Sequence, residues 1–391
     1  MIKRIRITDF KSIRELDLEL DPVTVLIGRS GTGKSNVVQA IRFLRNLLLD
    51  YQRAIEYEHG WERIKPVGVQ SPNTSIKITF EVPGESLDYT YEIAFNLNPH
   101  WGREPLFIEK LLLGEEMLFW RTRTTQGWKW EKAPALETAP LGLDGPILGR
   151  FPAFQKIVLA YAALSNGIGY YHFPASTLSA FRHSNHGEEF LMKVPGLADN
   201  AGNYLDVIRK IVQDFHHPNI RKSLLASLQA VNPSIASVEL DSLTNPNHAI
   251  VAHTANGQIF ELSLEQESDG IRRFYAHLLA LYQSPPKLAM VFEEPENAIF
   301  PGALSLLADE FKAAPRENRG QIILTTHNPT LLDSFDVENV RVVEMREGRT
   351  VVGKVSKEQR EAVKDHLLTT GELLTVEQPR LEEPPKSESV A

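Results

Sequence analysis

Apolar and polar residues alternate at the start of the chain. Arg4–Ile7 and Leu16–Leu20 both repeat with a period of two, which predicts an antiparallel hairpin of two strands. Val23–Ile27 is then an almost continuous apolar run, broken only by Thr24, and this pattern is typical of a strand buried on both faces. A glycine-rich loop follows it. Beyond the loop, apolar residues take up helical spacing at Val37, Val38, Ile41, Leu44 and Leu48.

The period of two returns between Ser75 and about Lys132. Alternating runs extend from Ile76 to Val82 and from Tyr89 to Phe95, and further short strands fit Phe107–Leu113 and Met117–Thr122. Such a series predicts an antiparallel meander. In the next segment, Ala133–Gly149, prolines and glycines interrupt the leucines, so we interpret it as a connector.

Helical spacing dominates from about residue 150 to residue 235, and strands and helices alternate after it. Helices are predicted at Phe154–Leu164, Asn203–Phe215, Ile220–Val231, Gly270–Tyr282 and Ala303–Ala313. Strands are predicted at Val238–Leu243, His248–Leu262, Lys287–Glu293 and Gln321–Thr325, with turns at Asn256–Gly257 and Glu347–Gly348. This order indicates an α/β protein with a mainly parallel sheet core. The tail from Gln378 is rich in Pro, Glu and Ser and is expected to be disordered.

The composition adds limits on the class of protein. The 391 residues, 42% of them apolar and 24% charged, are typical of a globular protein. Without cysteine there can be no disulfide and no cysteine zinc site. The longest apolar runs, such as Ile157–Leu164, are too short for a membrane span, and the first residues lack the apolar core of a signal peptide. We therefore expect a cytoplasmic protein without a membrane partner.

The formal net charge of −8 argues against a dedicated nucleic-acid binder, so DNA affinity would need a local basic patch. One candidate patch is the start of the chain, with Lys3, Arg4, Arg6, Lys11 and Arg14. Another is in the meander, with Arg121, Arg123 and Lys129 beside Trp120, Trp128 and Trp130. Charges that protect a solvated strand edge would give the same pattern.

A full match to G-x-x-x-x-G-K-[ST] lies between the buried strand and the helix that follows. The segment Gly28–Ser35 reads GRSGTGKS. Glycines let backbone N–H groups surround phosphate oxygens, the lysine reaches the β- and γ-phosphates, and the serine hydroxyl ligates Mg²⁺. The predicted ATP-binding residues are Gly28, Arg29, Ser30, Gly31, Thr32, Gly33, Lys34, Ser35 and Asn36. A flexible glycine loop is the alternative, but the flanking strand and helix disfavour it.

Two adjacent carboxylates close the apolar run that begins at Leu288. A P-loop needs an acid on a second strand to hold the metal. Glu293 is suitably placed to accept a Mg²⁺-bound water, and Glu294 to orient or deprotonate the attacking water. Carboxylates that simply face solvent at a strand end are the alternative.

Four segments carry a resemblance to a known group of ATPases. They are the start IRITDFKSIRELDLEL, the segment Glu267–Gly270 (ESDG) before Ile271-Arg272-Arg273, the segment Glu293–Asn297 (EEPEN) with Pro301, and Thr325–Pro329 (TTHNP). Together they resemble the ABC-type ATPases of the SMC/RecF group. The nearest likeness is to stand-alone AAA-domain proteins close to the overcoming-lysogenization-defect (OLD) and abortive-infection ATPases.

The resemblance implies an ABC-type P-loop NTPase fold with an antiparallel meander and a helical insert, and it implies roles for residues. Ser268, Asp269 and Gly270 would form a signature that meets, in trans, the γ-phosphate held by the opposite protomer. Glu296 and Asn297 would belong to a D-loop that communicates across the dimer, and His327 would sense the γ-phosphate. By pattern alone, S-D-G is also a common helix N-cap and a strand-end histidine is more often structural.

The chain departs from the group at several positions. Glu293 stands where many relatives carry Asp, Glu267 where Leu is common, and neither Gln70 nor Gln126 has a clear Q-loop context. Lys34 and Glu293 are 259 residues apart, which leaves no room for a long coiled coil. The 64 residues after His327 are too few for the Toprim nuclease of OLD proteins, so we expect any effector to be a separate polypeptide.

The predicted organisation is an ATPase lobe at 1–150, a helical insert for dimerisation or partner binding at 151–235, a second ATPase lobe at 236–360 and a tail at 361–391. The favoured hypothesis is a Mg²⁺-dependent ATPase that works as a homodimer or higher oligomer. It would control an effector such as a nuclease or toxin from the same operon, or DNA, in anti-phage defence. The alternative is a RecF-like DNA-repair clamp. A transporter subunit or a small-molecule kinase is disfavoured by the ESDG signature and the histidine.

Overall fold

A computed structural model describes most of the chain. The described residues are 1–69, 73–96, 106–124, 127–132, 152–174, 177–178, 196–213, 218–240 and 248–382. They divide into two units, each made of three separate segments of the chain. The first unit comprises Met1–Pro22, Arg29–Ile168 and Val343–Gly353, and the second comprises Val23–Gly28, Gly169–Val342 and Lys354–Ala391. The predicted connector Ala133–Gly149 lies outside the described residues.

The first unit contains a seven-stranded sheet in the order β2-β1-β4-β5-β6-β7-β8. Its strands are β1 (Ile2–Phe10), β2 (Ile13–Glu19), β4 (Asn73–Phe80), β5 (Tyr89–Asn96), β6 (Leu106–Leu113), β7 (Glu116–Thr124) and β8 (Gly127–Lys132). Every neighbouring pair is antiparallel, which confirms the predicted hairpin and meander. The unit also contains helices α1 (Lys34–Leu49), α2 (Tyr51–Tyr57) and α3 (Pro152–Ser165).

The second unit is built on parallel strands. These are β3 (Val23–Ile27), β13 (Ala289–Glu293) and β14 (Gln321–Thr325), and β15 (Val340–Arg346) begins beside β3. From β15 onward the strand order is β15-β3-β14-β13-β9, with β9 at Ile168–Tyr171, whereas β16 (Arg349–Lys354) belongs mainly to the first unit. All five residues of β3 and of β14 are buried, as their apolar runs predict. The predicted α/β class and parallel core are therefore confirmed.

A small sheet and seven helices complete the described part of the second unit. Strands β10 (Ile235–Leu240), β11 (Ala249–Ala255) and β12 (Gln258–Ser263) form an antiparallel sheet in sequence order. The helices are α4 (Tyr204–Gln213), α5 (Pro218–Val231), α6 (Asp269–Tyr282), α7 (Pro301–Arg316), α8 (Pro329–Leu332), α9 (Lys357–Lys364) and α10 (Glu372–Thr375). Within the described residues, no helix is both long enough and apolar enough to span a membrane.

The beginning of the tail is ordered. Leu381 is buried and forms a β-bridge with Val355, and the backbone N–H of Arg380 donates to the side chain of Gln359 at 2.8 Å. The predicted disorder from Gln378 is therefore wrong for Gln378–Glu382. Composition missed it because one buried leucine and a few backbone hydrogen bonds hold a short segment whatever its average polarity. Residues 383–391 lie outside the described part.

Candidate functional site

The glycine-rich loop leads directly into the N-terminus of α1. The chain leaves β3 at Gly28, and Gly31 and Gly33 have φ of 79° and 99°, in the left-handed region that favours glycine. Gly33 is doubly constrained, because a Cβ there would collide with the Thr350 hydroxyl. In α1, Gly33 provides no side-chain cap and the first turn carries no acid. The amides at this helix terminus therefore suit an anion such as phosphate.

Within the loop, Lys34 is folded back and Ser35 is exposed. The Lys34 ammonium donates to the carbonyl of Arg29 at 3.1 Å, and so does the Thr32 hydroxyl at 2.9 Å. Arg29, Ser30 and Gly31 are exposed, as is Ser35. A lysine held beside the loop backbone is suitably placed for a phosphate bound in the loop.

A polar brace from other parts of the first unit supports this loop, and sequence reasoning missed it. The Thr350 hydroxyl donates to the carbonyl of Thr32 at 2.9 Å and lies 2.6 Å from the hydroxyl of Ser12. Asn36, predicted as an ATP contact, donates to Ser12 at 2.6 Å. Thr350 is only 2% exposed. Ser12 belongs to the FKS segment of the resemblance, which could have been a signal, whereas nothing in the local sequence marks Thr350.

In the second unit, the carboxyl ends of β13, β14 and β3 lie at one edge of the sheet. Glu293 is paired in register with Thr325, and Thr325 with Leu26, two residues before Gly28. The backbone N–H of Thr326 donates to the carbonyl of Leu26 at 3.2 Å. This edge of a parallel sheet is where α/β proteins place their ligand sites.

Glu293 is held by a tyrosine from the neighbouring strand. The hydroxyl of Tyr170, on β9, donates to Glu293 Oε2. Tyr170 is 2% exposed, whereas Glu293 is half-buried. The longer side chain of a glutamate therefore has a fixed partner at its tip. A shorter aspartate at the same position would not extend as far as the Tyr170 hydroxyl.

Glu294 adopts a backbone conformation that is unusual for its residue type. Its φ is 47°, and its N–H donates to the carbonyl and to the hydroxyl of Thr325, each at 3.2 Å. Non-glycine residues in the left-handed region cluster at functional sites. The Glu294 carboxylate lies 3.5 Å from Nε2 of His327 and accepts from the amide of Asn297 at 3.1 Å. The structure therefore brings together the predicted water-orienting acid and the predicted γ-phosphate sensor.

The side chain of Glu296 accepts its hydrogen bonds from residues of its own chain. Its Oε1 accepts from the Thr326 hydroxyl at 2.8 Å and from the N–H of His327 at 2.9 Å. Its Oε2 is buried without a hydrogen-bond partner among the described residues. Burial raises the pKa of Glu296, while the hydrogen bonds from His327 and Thr326 oppose that rise. In this structure the residue fixes the segment that carries His327.

The ESDG segment forms the N-terminus of α6. Ser268 is the N-cap, and its hydroxyl accepts from the N–H of Ile271 at 3.4 Å, so the cap interpretation of this serine is confirmed. Ser268 and Asp269 are nevertheless exposed, and Gly270 lies where a Cβ would be 3.1 Å from the carbonyl of Ala298. The guanidinium of Arg273 donates to the carbonyl of Asn297 at 2.6 Å. These contacts fasten the predicted signature to the predicted D-loop.

The residues fit Mg²⁺–ATP better than a metal bound by protein alone. The described residues contain no group of three or more His, Cys, Asp or Glu side chains that could hold a metal ion. Mg²⁺ is usually bound by one or two protein oxygens together with phosphates and water. Ser35 of the first unit offers a hydroxyl of this kind, and Glu293 of the second unit offers a carboxylate.

The first candidate basic patch is balanced by acids. Its five bases pair within the first unit, in the order Lys3–Asp88, Arg4–Asp17, Arg6–Asp17, Lys11–Glu58 and Arg14–Asp9. In the second patch, Arg121 is buried and pairs with Glu109. The side chains of Arg123, Trp128 and Trp130 lie outside the described part. The described bases therefore provide little uncompensated positive charge for a phosphate backbone.

Comparison with known proteins gives matches to a family model, to RecF proteins and to solved structures. A family model described as "AAA domain, putative AbiEii toxin, Type IV TA system" matches residues 23–333. The DNA replication and repair protein RecF of Arthrobacter sp. (strain FB24) is 45% identical over 47 residues, which is 12% of either chain. RecF of Acidothermus cellulolyticus (strain ATCC 43068 / DSM 8971 / 11B) is 48% identical over 44 residues. The match therefore spans about an eighth of the length of these relatives.

Among solved structures, an SMC head bound to the C-winged helix domain of ScpA is similar to this chain. The TM-score is 0.55 at 14% identity, and the match covers 92% of this chain and 99% of that one. At this identity the similarity concerns the fold, which is that of an SMC head. The family model spans most of the chain and includes β3, β13 and β14. The chain thus belongs to the AAA-domain family of that description and is an SMC/RecF-like P-loop ATPase.

Proposed function

We propose that the protein is a nucleotide-driven switch. It binds Mg²⁺–ATP, closes as a homodimer on two nucleotides, and reopens on hydrolysis. The observation that carries this proposal is the edge of the second unit where Glu293, Glu294 and His327 meet, in register with the strand that leads into the P-loop. The arrangement supplies a metal-facing acid, a water-facing acid and a polar group for the γ-phosphate.

Each residue has a defined task in the proposed reaction. The P-loop amides and Lys34 bind the phosphates, and Ser35 with Glu293 would hold Mg²⁺, which when bound neutralises phosphate charge. Glu294 orients the attacking water and accepts its proton, because its carboxylate is half-exposed and accepts from Asn297, while its backbone N–H is held by Thr325. His327 lies beside Glu294 and would stabilise charge near the γ-phosphate.

The proposed dimer explains the exposed signature. Ser268 and Asp269 open α6 at the surface, where a hydroxyl and the helix terminus can meet an anion held by another subunit. Arg273 connects this helix to the D-loop, which in turn carries the contacts of Glu294 and Glu296. Contact with a second subunit could therefore be transmitted to the water-orienting acid through a short series of polar contacts.

We further propose that the output is control of a separate effector protein, such as a nuclease or toxin from the same operon, in anti-phage defence. The family description and the earlier resemblance to abortive-infection ATPases favour this setting. Co-purification with operon neighbours in the presence of ATP would identify the effector.

A RecF-like DNA clamp is the second candidate function, because of the local identity to two RecF proteins. The pairing of the basic residues at the start of the chain weighs against it. Titration of duplex DNA at low and high salt, with and without ATP, separates the two candidates. Binding that ATP strengthens and salt weakens would favour the clamp.

The main test replaces Glu294 with Gln, which keeps the hydrogen-bonding shape and removes the base. We expect hydrolysis to fall about 100-fold or more, the range for loss of a general base. ATP binding should persist, and a nucleotide-bound dimer should accumulate in analytical ultracentrifugation. Lys34→Ala is the matched control and should lose ATP binding. Normal turnover by Glu294→Gln with ATP bound would refute the assigned mechanism.

A further inference from the structure

A buried histidine contacts the residue immediately before the signature. His253, on β11, is 4% exposed, and its Nε2 lies 2.6 Å from Glu267 Oε1. Because a carboxylate only accepts hydrogen bonds, Nε2 is the donor. On the other side of the ring, Nδ1 lies 2.9 Å from the hydroxyl of Ser234. The ring also stacks on Phe260, with centroids 5.1 Å apart and planes 11° apart.

Glu267 occupies a short segment between two capped elements. A 3-10 turn at Leu264–Gln266 ends just before it, and this turn is closed by a capping box between Ser263 and Gln266. Directly after Glu267 comes Ser268, the N-cap of α6. The backbone that presents the signature is therefore positioned on its amino-terminal side through Glu267 and the turn.

The Glu267 side chain is itself buried, at 7% exposure. A buried carboxylate is costly unless it is paired, so the position of Glu267 depends on its contact with His253. In the group that the chain resembles, leucine is common at this position, and an apolar side chain makes no directional bond. A charge-assisted hydrogen bond fixes both distance and direction.

We propose that His253 is a positioning residue for the signature and acts through Glu267. It sets where Ser268 and Asp269 stand at the surface, and thereby controls closure of the dimer without affecting ATP binding by a single subunit. This inference rests on the proposed function of the signature in trans. The alternative is a purely structural role, in which the pair only stabilises the sheet β10–β12.

The same contacts reach the surface of this sheet. Phe260, whose ring stacks on His253, is 45% exposed and lies on the edge strand β12. The series Phe260–His253–Glu267 thus leads from an exposed ring to the residue before Ser268. A change in the packing of Phe260 would shift the ring that holds Glu267.

Two substitutions of His253 form a matched pair. Asn reproduces the position of Nδ1 toward Ser234 but does not extend to Glu267, whereas Gln places an amide donor near the position of Nε2. Both are made in the Glu294→Gln background, where the ATP-bound dimer accumulates. We expect His253→Asn to weaken ATP-dependent dimerisation about tenfold or more, as loss of a hydrogen bond to a charged group predicts. His253→Gln should restore most of it.

Three readouts separate positioning from stability. They are binding of a fluorescent ATP analogue to dilute protein, dimerisation by analytical ultracentrifugation, and thermal unfolding. ATP affinity in His253→Asn should stay within about twofold of the parent. Ser234→Ala removes the contact on the far side of the ring and should leave dimerisation nearly unchanged. An equal loss of dimerisation in Ser234→Ala and His253→Asn would overturn the proposal. Both substitutions would then act by destabilising the sheet β10–β12.

Further variants keep the test decisive. If His253→Asn does not fold, Glu267→Leu removes the same contact with an apolar side chain that preserves burial, and the same loss is expected. Unchanged dimerisation in the folded variant overturns the inference. Ser268→Arg in the same background tests the proposed function itself. If it blocks dimerisation while the His253 and Glu267 variants do not, only the inference fails. If it has no effect, the signature does not act in trans and both fail.

Discussion

The hydroxyl of Tyr170 offers a sharp perturbation of the proposed metal-facing acid. Tyr170→Phe removes one oxygen atom from a side chain that is 2% exposed, and leaves the ring in place. The hydroxyl donates to Glu293 Oε2, so the variant leaves that carboxylate with one donor fewer. Glu293 has one more rotatable bond than an aspartate, and without the donor its tip is free to sample other rotamers.

The size of the effect follows from the charge of the acceptor. A hydrogen bond to a charged group contributes about 1.5–3 kcal/mol, which corresponds to about 10- to 150-fold in an equilibrium constant. The lost contact orients the acid that is assigned to Mg²⁺. We therefore expect a lower affinity in the Mg²⁺-dependent part of ATP binding. The Mg²⁺ concentration for half-maximal hydrolysis should rise about tenfold or more. ATP affinity without Mg²⁺ should not change.

The assay titrates Mg²⁺ at fixed ATP, and measures both hydrolysis and binding of a fluorescent ATP analogue with and without the metal. Tyr171→Phe is the matched control. It removes a hydroxyl of similar burial from the same strand, but that hydroxyl accepts from Gln283 at 2.6 Å. Equal Mg²⁺ dependence in wild type and Tyr170→Phe, or an equal shift in Tyr171→Phe, would refute the role assigned to Tyr170.

Two more predictions concern the P-loop brace and a buried histidine. Thr350→Val keeps the shape of the side chain but loses the hydrogen bonds to Thr32 and Ser12. ATP affinity, measured by fluorescence titration, should therefore fall about threefold to tenfold. The control Thr350→Ser keeps the hydroxyl and should bind ATP normally. Burial lowers the pKa of His277 from 6.5 to about 4, so the unfolded chain takes up this proton first as the pH falls. Stability should therefore drop by about 3 kcal/mol between pH 6.5 and pH 4. His277→Asn retains a donor for the carbonyl of Arg273 but cannot take up this proton. In urea unfolding, the variant should therefore lack this drop in the free energy of unfolding. The same pH dependence in the variant as in the wild type would contradict the assignment of the drop to His277.

The sequence was most informative where a pattern is local. The apolar run of β3, the loop glycines and the helical spacing of α1 are close together in the chain, and each follows from backbone geometry or burial. The parallel core could be predicted because β13 and β14 are short, continuous apolar runs that end in polar motifs.

The partners of the site residues could not be predicted in this way. Tyr170 is 123 residues from Glu293, and Thr350 is 318 residues from Thr32. A tyrosine on a buried strand or a threonine in a hairpin carries no local mark of such a contact, because the fold alone brings the pair together. Glu296 shows the same limit, since its motif indicates a D-loop while its carboxylate bonds to the segment of His327.

The two departures from the family pattern acquire a common explanation in the second unit. Glu293, where the resemblance implies Asp in many relatives, has Tyr170 at its tip, and Glu267, where it implies that Leu is common, has His253. In each case a longer or more polar side chain is matched by a buried donor on a strand elsewhere in the chain, β9 or β11. An unmatched carboxylate would be expelled toward water or would cost stability. Sequence comparison at Glu293 or Glu267 alone would suggest a weakened motif. Under the proposed roles, each motif depends on a donor outside the motif itself, Tyr170 for Glu293 and His253 for Glu267.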